Sequence, residues 1–247
     1  MKRLFIFIFF LLSHNYLHAQ AQEGVVTYER TQYYTKIIAR LTFLSQEEKD
    51  RAKMTWGNDD GWKQKMVLYF NGKESKYEAL KEDSEDGWSG RPEDFFIYRN
   101  FETEKKIEFE TVSGKTYFLE DSLITPKWQV MNKIKEIQGY MCMMAVSKDP
   151  VKNQTITAWF ANDLVMQSGP EKFFGLPGLI LELDINDGDV IITASKVDLK
   201  PVKPELLAIP KKIKGKKVNQ VQYDAMLTDL ITTSIKGRRN PFWSIRY

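Results

Sequence analysis

Residues 175–197 read GLPGLILELDINDGDVIITASKV, and their pattern sets the fold class. Gly175 and Gly178 bracket Pro177, so the backbone turns sharply before it enters a strand. From Leu179 to Ile185 the side chains alternate. Leu181, Leu183 and Ile185 point to one face, and Glu182 and Asp184 to the other. Asn186-Asp187-Gly188 are turn formers, and Val190 to Val197 resumes the alternation. The stretch predicts two antiparallel strands joined by a tight turn.

The same signals recur in both directions. Val25 to Arg30 alternates as a first strand. Lys65 to Phe70 and Lys73 to Leu80 flank Asn71-Gly72, a dipeptide suited to a type I′ hairpin. Phe95 to Tyr98, Lys106 to Thr111 and Lys115 to Leu119 follow, the last two joined at Ser113-Gly114. Trp128 to Ile134, Tyr140 to Lys148 and Thr155 to Phe160 add three more. Short strands at close spacing argue an antiparallel sheet rather than βαβ units. Ser45 and Glu48 form a capping box that predicts a helix over residues 46–55. Asn219 to Lys236 carries Tyr223, Leu227 and Leu230 at helical spacing and stops at Gly237. Between them, Lys200 to Lys217 is rich in Pro and Lys and reads as an extended crossing. The expected fold is therefore mainly β with one or two helices (α+β): a large, curved antiparallel sheet with a C-terminal helix packed on one face.

The first residues read as a targeting segment. Lys2 and Arg3 precede an apolar run from Leu4 to Leu12, and Ala19-Gln20-Ala21 fits the small-x-small cleavage rule. That run is too short to span a bilayer, and no later stretch is apolar enough to be a membrane helix. The expected organisation is a cleaved signal peptide over 1–21, a β-rich domain over 22–200, and a basic crossing with a helix over 201–247 packed on the same domain. Export to the periplasm, or association with the outer membrane, follows as an expectation.

Cleavage changes the chemistry. His14 and His18 are the two histidines, and both lie in the leader. The mature chain then has no histidine and the single cysteine Cys142, which excludes imidazole-based hydrolases and the usual zinc sites. One cysteine cannot form an internal disulfide. Loss of Lys2 and Arg3 takes the formal charge from +3 to +1, which offers no case for nucleic acid. The remaining length, about 225 residues, suits one large all-β unit.

Trp128, the run Gly139-Tyr140-Met141-Cys142, the run Ala158-Trp159-Phe160 and the block from Gly169-Pro170 to Leu183 occur in this order. In these elements, and above all in Gly175, Leu176, Pro177, Gly178, Leu179 and Ile180, the chain resembles the GLPGLI family of exported bacterial proteins. The likeness covers about residues 125–198, with looser matches at Gly24 to Tyr28. It implies a sheet-rich exported domain without assigned catalytic residues, so no active site is carried over.

Several residues remain to be weighed by their own chemistry. Phe173, Phe174 and Leu176 could form the lip of an apolar cavity or a docking patch; alternatively the block is a turn that seats a central strand. Exposure separates the two. Met141-Cys142-Met143-Met144 has soft ligands, but on a strand only two could converge on Cu(I). The stretch from Asp184 to Asp189 lacks the spacing of a calcium loop and suits a hairpin. Glu182 with Asp184, Asp59-Asp60 and Glu82-Asp83 are carboxylate pairs that could serve a histidine-independent glycosidase. Trp56, Trp62 and Trp88 could stack on a sugar or pin a loop. Lys211, Lys212, Lys214, Lys216, Lys217, Arg238 and Arg239 could meet an anionic membrane surface. Trp243, Ile245 and Tyr247 alternate toward a terminal aromatic, yet the chain lacks the apolar band a membrane barrel needs. The expected function is a non-catalytic envelope protein that binds an apolar ligand or an envelope protein partner, with no cofactor, no metal and no transmembrane segment. A carboxylate enzyme and a purely structural component are the alternatives.

Overall fold

The computed structural model describes residues 22–57, 61–80, 95–210 and 214–247. The leader, Asp59-Asp60, Glu82-Asp83, Trp88 and Lys211-Lys212 lie outside these residues. Twelve strands form one sheet: β1 (Gly24–Gln32), β2 (Trp62–Phe70), β3 (Glu74–Ala79), β4 (Phe96–Asn100), β5 (Lys105–Val112), β6 (Lys115–Ser122), β7 (Gln129–Ile137), β8 (Tyr140–Asp149), β9 (Gln154–Ala161), β10 (Leu179–Ile185), β11 (Val190–Leu199) and β12 (Lys216–Val218). The helices are α1 (Tyr34–Ala39), α2 (Gln46–Trp56), α3 (Pro204–Leu207) and α4 (Gln220–Lys236), with a short 3-10 turn at Pro241–Trp243. The mainly antiparallel sheet and the C-terminal helix are as expected. Among the described residues four helices replace the one or two anticipated. α1 has no capping signal, and α3 interrupts the stretch read as a plain extended crossing.

The strand order is β12-β6-β5-β4-β3-β2-β1-β11-β10-β9-β8-β7. Two meanders therefore meet at β1, which pairs antiparallel with both β2 and β11. The chain leaves the first meander at Ser122 and starts the second at Gln129. That linker can reach about 25 Å when extended, whereas β6 and β7 would lie about 48 Å apart in a flat sheet with ~4.8 Å between strands. The sheet must curl. Its two limbs face each other: Ile97 and Glu110 of the first meander and Gln154 and Ile185 of the second line one small cavity.

The alternation in β10 works as its sequence predicts: Leu181, Leu183 and Ile185 are buried and Glu182 and Asp184 are not. Asn186, Asp187 and Gly188 all have positive φ, and Asp184 accepts from the Gly188 amide at 2.6 Å. This stretch is a hairpin turn. The β2–β3 turn departs from the type I′ expectation. Only Gly72 takes positive φ, while Asn71 accepts from the amides of Lys73 at 3.2 Å and Glu74 at 3.0 Å. The asparagine side chain stabilises the turn and moves it along by a residue.

Both long helices begin at capping boxes, on Ser45 and on Asn219. α4 buries Tyr223 and Leu227 in a second small core with Val112, Tyr117, Leu119, Val218 and Ile245. Lys216–Val218 adds β12 in parallel to β6, a pairing without a local signature in a run of lysines. Trp243, Ile245 and Tyr247 form no strand. Ile245 and Tyr247 are buried, and the Tyr247 hydroxyl donates to Asp189 at 2.6 Å. Among the described residues no helix is long and apolar enough to cross a membrane.

Candidate functional site

The connection between β9 and β10, residues 162–178, crosses the concave side of the sheet and fills it. Leu164, Met166, Phe173 and Leu176 join the main core. Two glycines fix its exit. A Cβ on Gly178 would lie 2.0 Å from the Ala161 carbonyl oxygen, so the backbones pass too closely for any side chain. Gly175 has φ +85° and faces Thr125 of the β6–β7 linker. Trp128 donates from its indole nitrogen to the Phe174 carbonyl at 2.8 Å and meets the Phe173 ring edge-to-face.

Phe173, Phe174 and Leu176 are 5%, 6% and 1% exposed. Their burial leaves no exposed docking patch, while Phe173 lines a small cavity beside α4. The physical reason is local. Trp128 covers Phe173, while Phe101 and the Arg99 guanidinium cover Phe174. The block behaves as the turn that seats β10. Of the other motif residues, Gly169, Pro170, Gly178, Leu179 and Ile180 are buried, Tyr140 and Trp159 half-buried, and Pro177 exposed.

Polar residues without a sequence signature hold this crossing in place. Glu171, 6% exposed, receives Arg246 through both oxygens at 2.8 Å. Arg30 approaches at 3.4 Å and the Tyr77 hydroxyl at 3.5 Å. Burial would raise the Glu171 pKa, but Arg246 and then Arg30 more than offset it, and the carboxyl stays below its usual range. Arg99 donates to the carbonyls of Gly169 and Glu171, and burial pushes its pKa down to about 10. Ser75 and Ser168 bond at 2.8 Å. Sequence reading missed this cluster, because charged residues on alternating strands read as solvent-facing until the opposite limb is known.

The remaining candidates separate cleanly. Cys142 is fully buried, and burial pushes its thiol up to about 11, which disfavours the thiolate a soft metal needs. No group of three or more metal-ligating side chains occurs among the described residues. Glu182 pairs with Lys135 at 2.5 Å and accepts from Thr193 at 3.1 Å, while Asp184 caps the hairpin. The two carboxylates serve the sheet separately. Trp56 tilts against Trp243, which stacks on Tyr34; this packing suits the pinning role. Lys217 pairs with Glu120 at 2.7 Å and Arg238 with Glu48 at 3.4 Å, on exposed faces.

What the fold does expose is an edge. β7 ends the sheet and is exposed along most of its length. Val130 is 49%, Ile134 67% and neighbouring Met141 of β8 51% exposed. Val130 lies opposite Ala145 and Ile134 opposite Met143, across an irregularity between Met131 and Ile134. Residues directly opposite share a face, so Val130, Ile134, Met141 and Met143 form one apolar strip. At the other end of the sheet β12 is a three-residue strand.

Residues 147–182 match a family described as a protein of unknown function, Porph_ging. This segment contains the Gly175 to Ile180 string. No curated protein matches the chain. Among solved structures it is similar to PNGF-II in two crystal forms, with TM-scores of 0.53 and 0.52 at 17% and 16% identity. Each match covers 84% of this chain and 33% of the other. The likeness is one of fold, and this chain spans about a third of the PNGF-II chain.

Proposed function

We propose that the protein is an exported, non-catalytic binding module of the GLPGLI type that docks an extended segment of another envelope protein along β7. One observation carries this reading: a concave face filled by the chain's own crossing, combined with an apolar strip on an open sheet edge. An edge strand presents a row of backbone donors and acceptors to a second strand, and flanking side-chain pockets supply specificity. Lys133, Lys135 and the irregularity in β7 act in the opposite sense, since charge and bulges blunt indiscriminate pairing. Together they favour a selective partner over self-association. Burial of Phe173, Phe174 and Leu176 moves the docking surface away from the motif, and the filled interior counts against a carried apolar ligand. Export rests on the N-terminal leader, and the family reading on the motif block within the matched residues.

The test is photo-crosslinking from Ile134 and from Val221 on exposed α4, in the cells that make the protein. A discrete adduct with a heterologous envelope protein from Ile134 alone, abolished by Val130→Lys, supports the reading. A self-adduct, or the same adducts from both positions, overturns it.

A further inference from the structure

A polar cavity of about 50 Å3 lies where α4 meets the curled sheet. β5, the β8–β9 turn, the crossing and the C-terminal residues complete its wall. Phe95, Ile97 and Leu227 line its apolar side. Three polar residues distinguish it. Gln154, at the start of β9, is 4% exposed, and its side-chain nitrogen has no hydrogen-bond partner among the described residues. Lys152 donates to the Arg246 carbonyl at 2.5 Å and makes no ion pair among the described residues. Glu110 accepts the Tyr223 hydroxyl at 2.5 Å.

The acceptors around this cavity are largely engaged elsewhere. Arg246 takes both oxygens of Glu171, Lys172 takes Asp149 at 2.6 Å, and Gln220 donates to Asp224 at 2.7 Å. What remains over is donor capacity: an amide without a partner and an ammonium with three protons and one acceptor. The buried Gln154 amide calls for an acceptor, and half-buried Lys152 beside it has protons to share with the same acceptor. Burial, and then the nearby Lys172, lower the Lys152 pKa, while Glu110, Asp149 and Glu171 oppose the shift without cancelling it. Glu110 is shifted the other way, chiefly by burial with Lys152 opposing.

We infer that this cavity binds a small monocarboxylate of about the size of acetate, whose oxygens accept from Gln154 and Lys152 while its apolar end meets Phe95, Ile97 and Leu227. The volume has room for an anion of this kind or for a few waters. A ligand with so few heavy atoms binds weakly, in the millimolar range. The site is separate from the β7 edge, so its failure leaves the docking proposal standing.

Titration of the mature protein with carbon-13-labelled acetate, followed by NMR against chloride at equal ionic strength, tests it. Saturable binding that chloride does not displace, weakened at least about tenfold (roughly 1.4 kcal/mol) by Lys152→Met and by Gln154→Met, is the expected result. Binding that does not saturate, or that survives both substitutions, overturns it. Should a variant fold poorly, crystals of the unaltered protein grown with acetate decide the matter. Carboxylate density between Gln154 and Lys152 supports the site, and ordered water alone refutes it.

Discussion

Gly178 and Glu171 are a few residues apart and illustrate two ways in which one position can govern the crossing. Gly178 is required by space. Alanine there would place its Cβ 2.0 Å from one backbone atom and 2.6 Å from the next, and backbone cannot swing aside as a side-chain tip can. Gly178→Ala should cost about 3 kcal/mol or more. Gly114, with φ +74° and nothing within 4 Å of an added Cβ, should lose only about 1 kcal/mol to left-handed strain. Denaturant midpoints of the two variants, side by side, check the contrast. Equal losses would mean that the close approach at Gly178 is readily relieved. Glu171 is required by charge. Glu171→Gln removes the counter-charge of buried Arg246 and Arg30, and loss of one partner from a buried pair costs about 3–5 kcal/mol. A loss below about 1 kcal/mol would show that the arginines find water or another carboxylate. The sharp turn was legible from Gly-Leu-Pro-Gly, but the close approach of the Ala161 backbone that makes Gly178 obligatory was not, since it depends on how the crossing packs. Glu171 was not legible: in sequence it is one more acidic residue beside a proline.

At the level of elements, legibility follows the range of the forces involved. The β10–β11 hairpin, the Ser45 capping box and the helix starting at Asn219 were readable because alternation, turn residues, caps and helical spacing act within a few positions. Lys216–Val218 was not, because its partner β6 lies about a hundred residues earlier and the pairing depends on where α4 docks. The two capped helices then make different predictions from the same chemistry. Replacing Asn219 with Ala removes the acceptor of the Gln222 amide, a 2.9 Å bond, and such a loss costs about 1 kcal/mol. Since α4 buries Tyr223 and Leu227, that cost should appear in global stability. α2 buries none of its residues. Ser45→Ala should therefore speed amide exchange across residues 46–56 while leaving the global midpoint unchanged, because an element with little burial opens on its own. A matching drop in the global midpoint would mean that α2 unfolds with the sheet.

Across the whole molecule, the curl of the sheet brings ionisable groups from distant strands into one interior, and pH becomes a probe of closure. Two carboxyls there, Glu171 and Asp149, lie below their ordinary range; burial opposes the shift, while Arg246 acting on Glu171 and Lys172 acting on Asp149 outweigh it. Their contribution is fully present above the unfolded carboxylate range, near pH 4 to 4.5. It is lost as pH falls through that range toward their folded values, because the unfolded chain then binds more protons. Glu110 works in the reverse direction. Burial holds its pKa up, Lys152 opposing, so its contribution is present at low pH and declines from about pH 4.5 upward until its folded pKa is passed. The two effects bracket a stability maximum on the mildly acidic side of neutral. Glu110→Gln retains an acceptor for the Tyr223 hydroxyl and cannot ionise. This variant should match the parent near pH 4 and exceed it at pH 7, with the upper limb of the profile flattened and the acid limb intact. Urea midpoints at half-unit pH intervals would show this. An equal loss at both pH values would mean that Glu110 acts through its bond to Tyr223 rather than its charge. The pH dependence would then belong to Glu171 and Asp149 alone, the groups that fasten the crossing to the C-terminal residues and to β8.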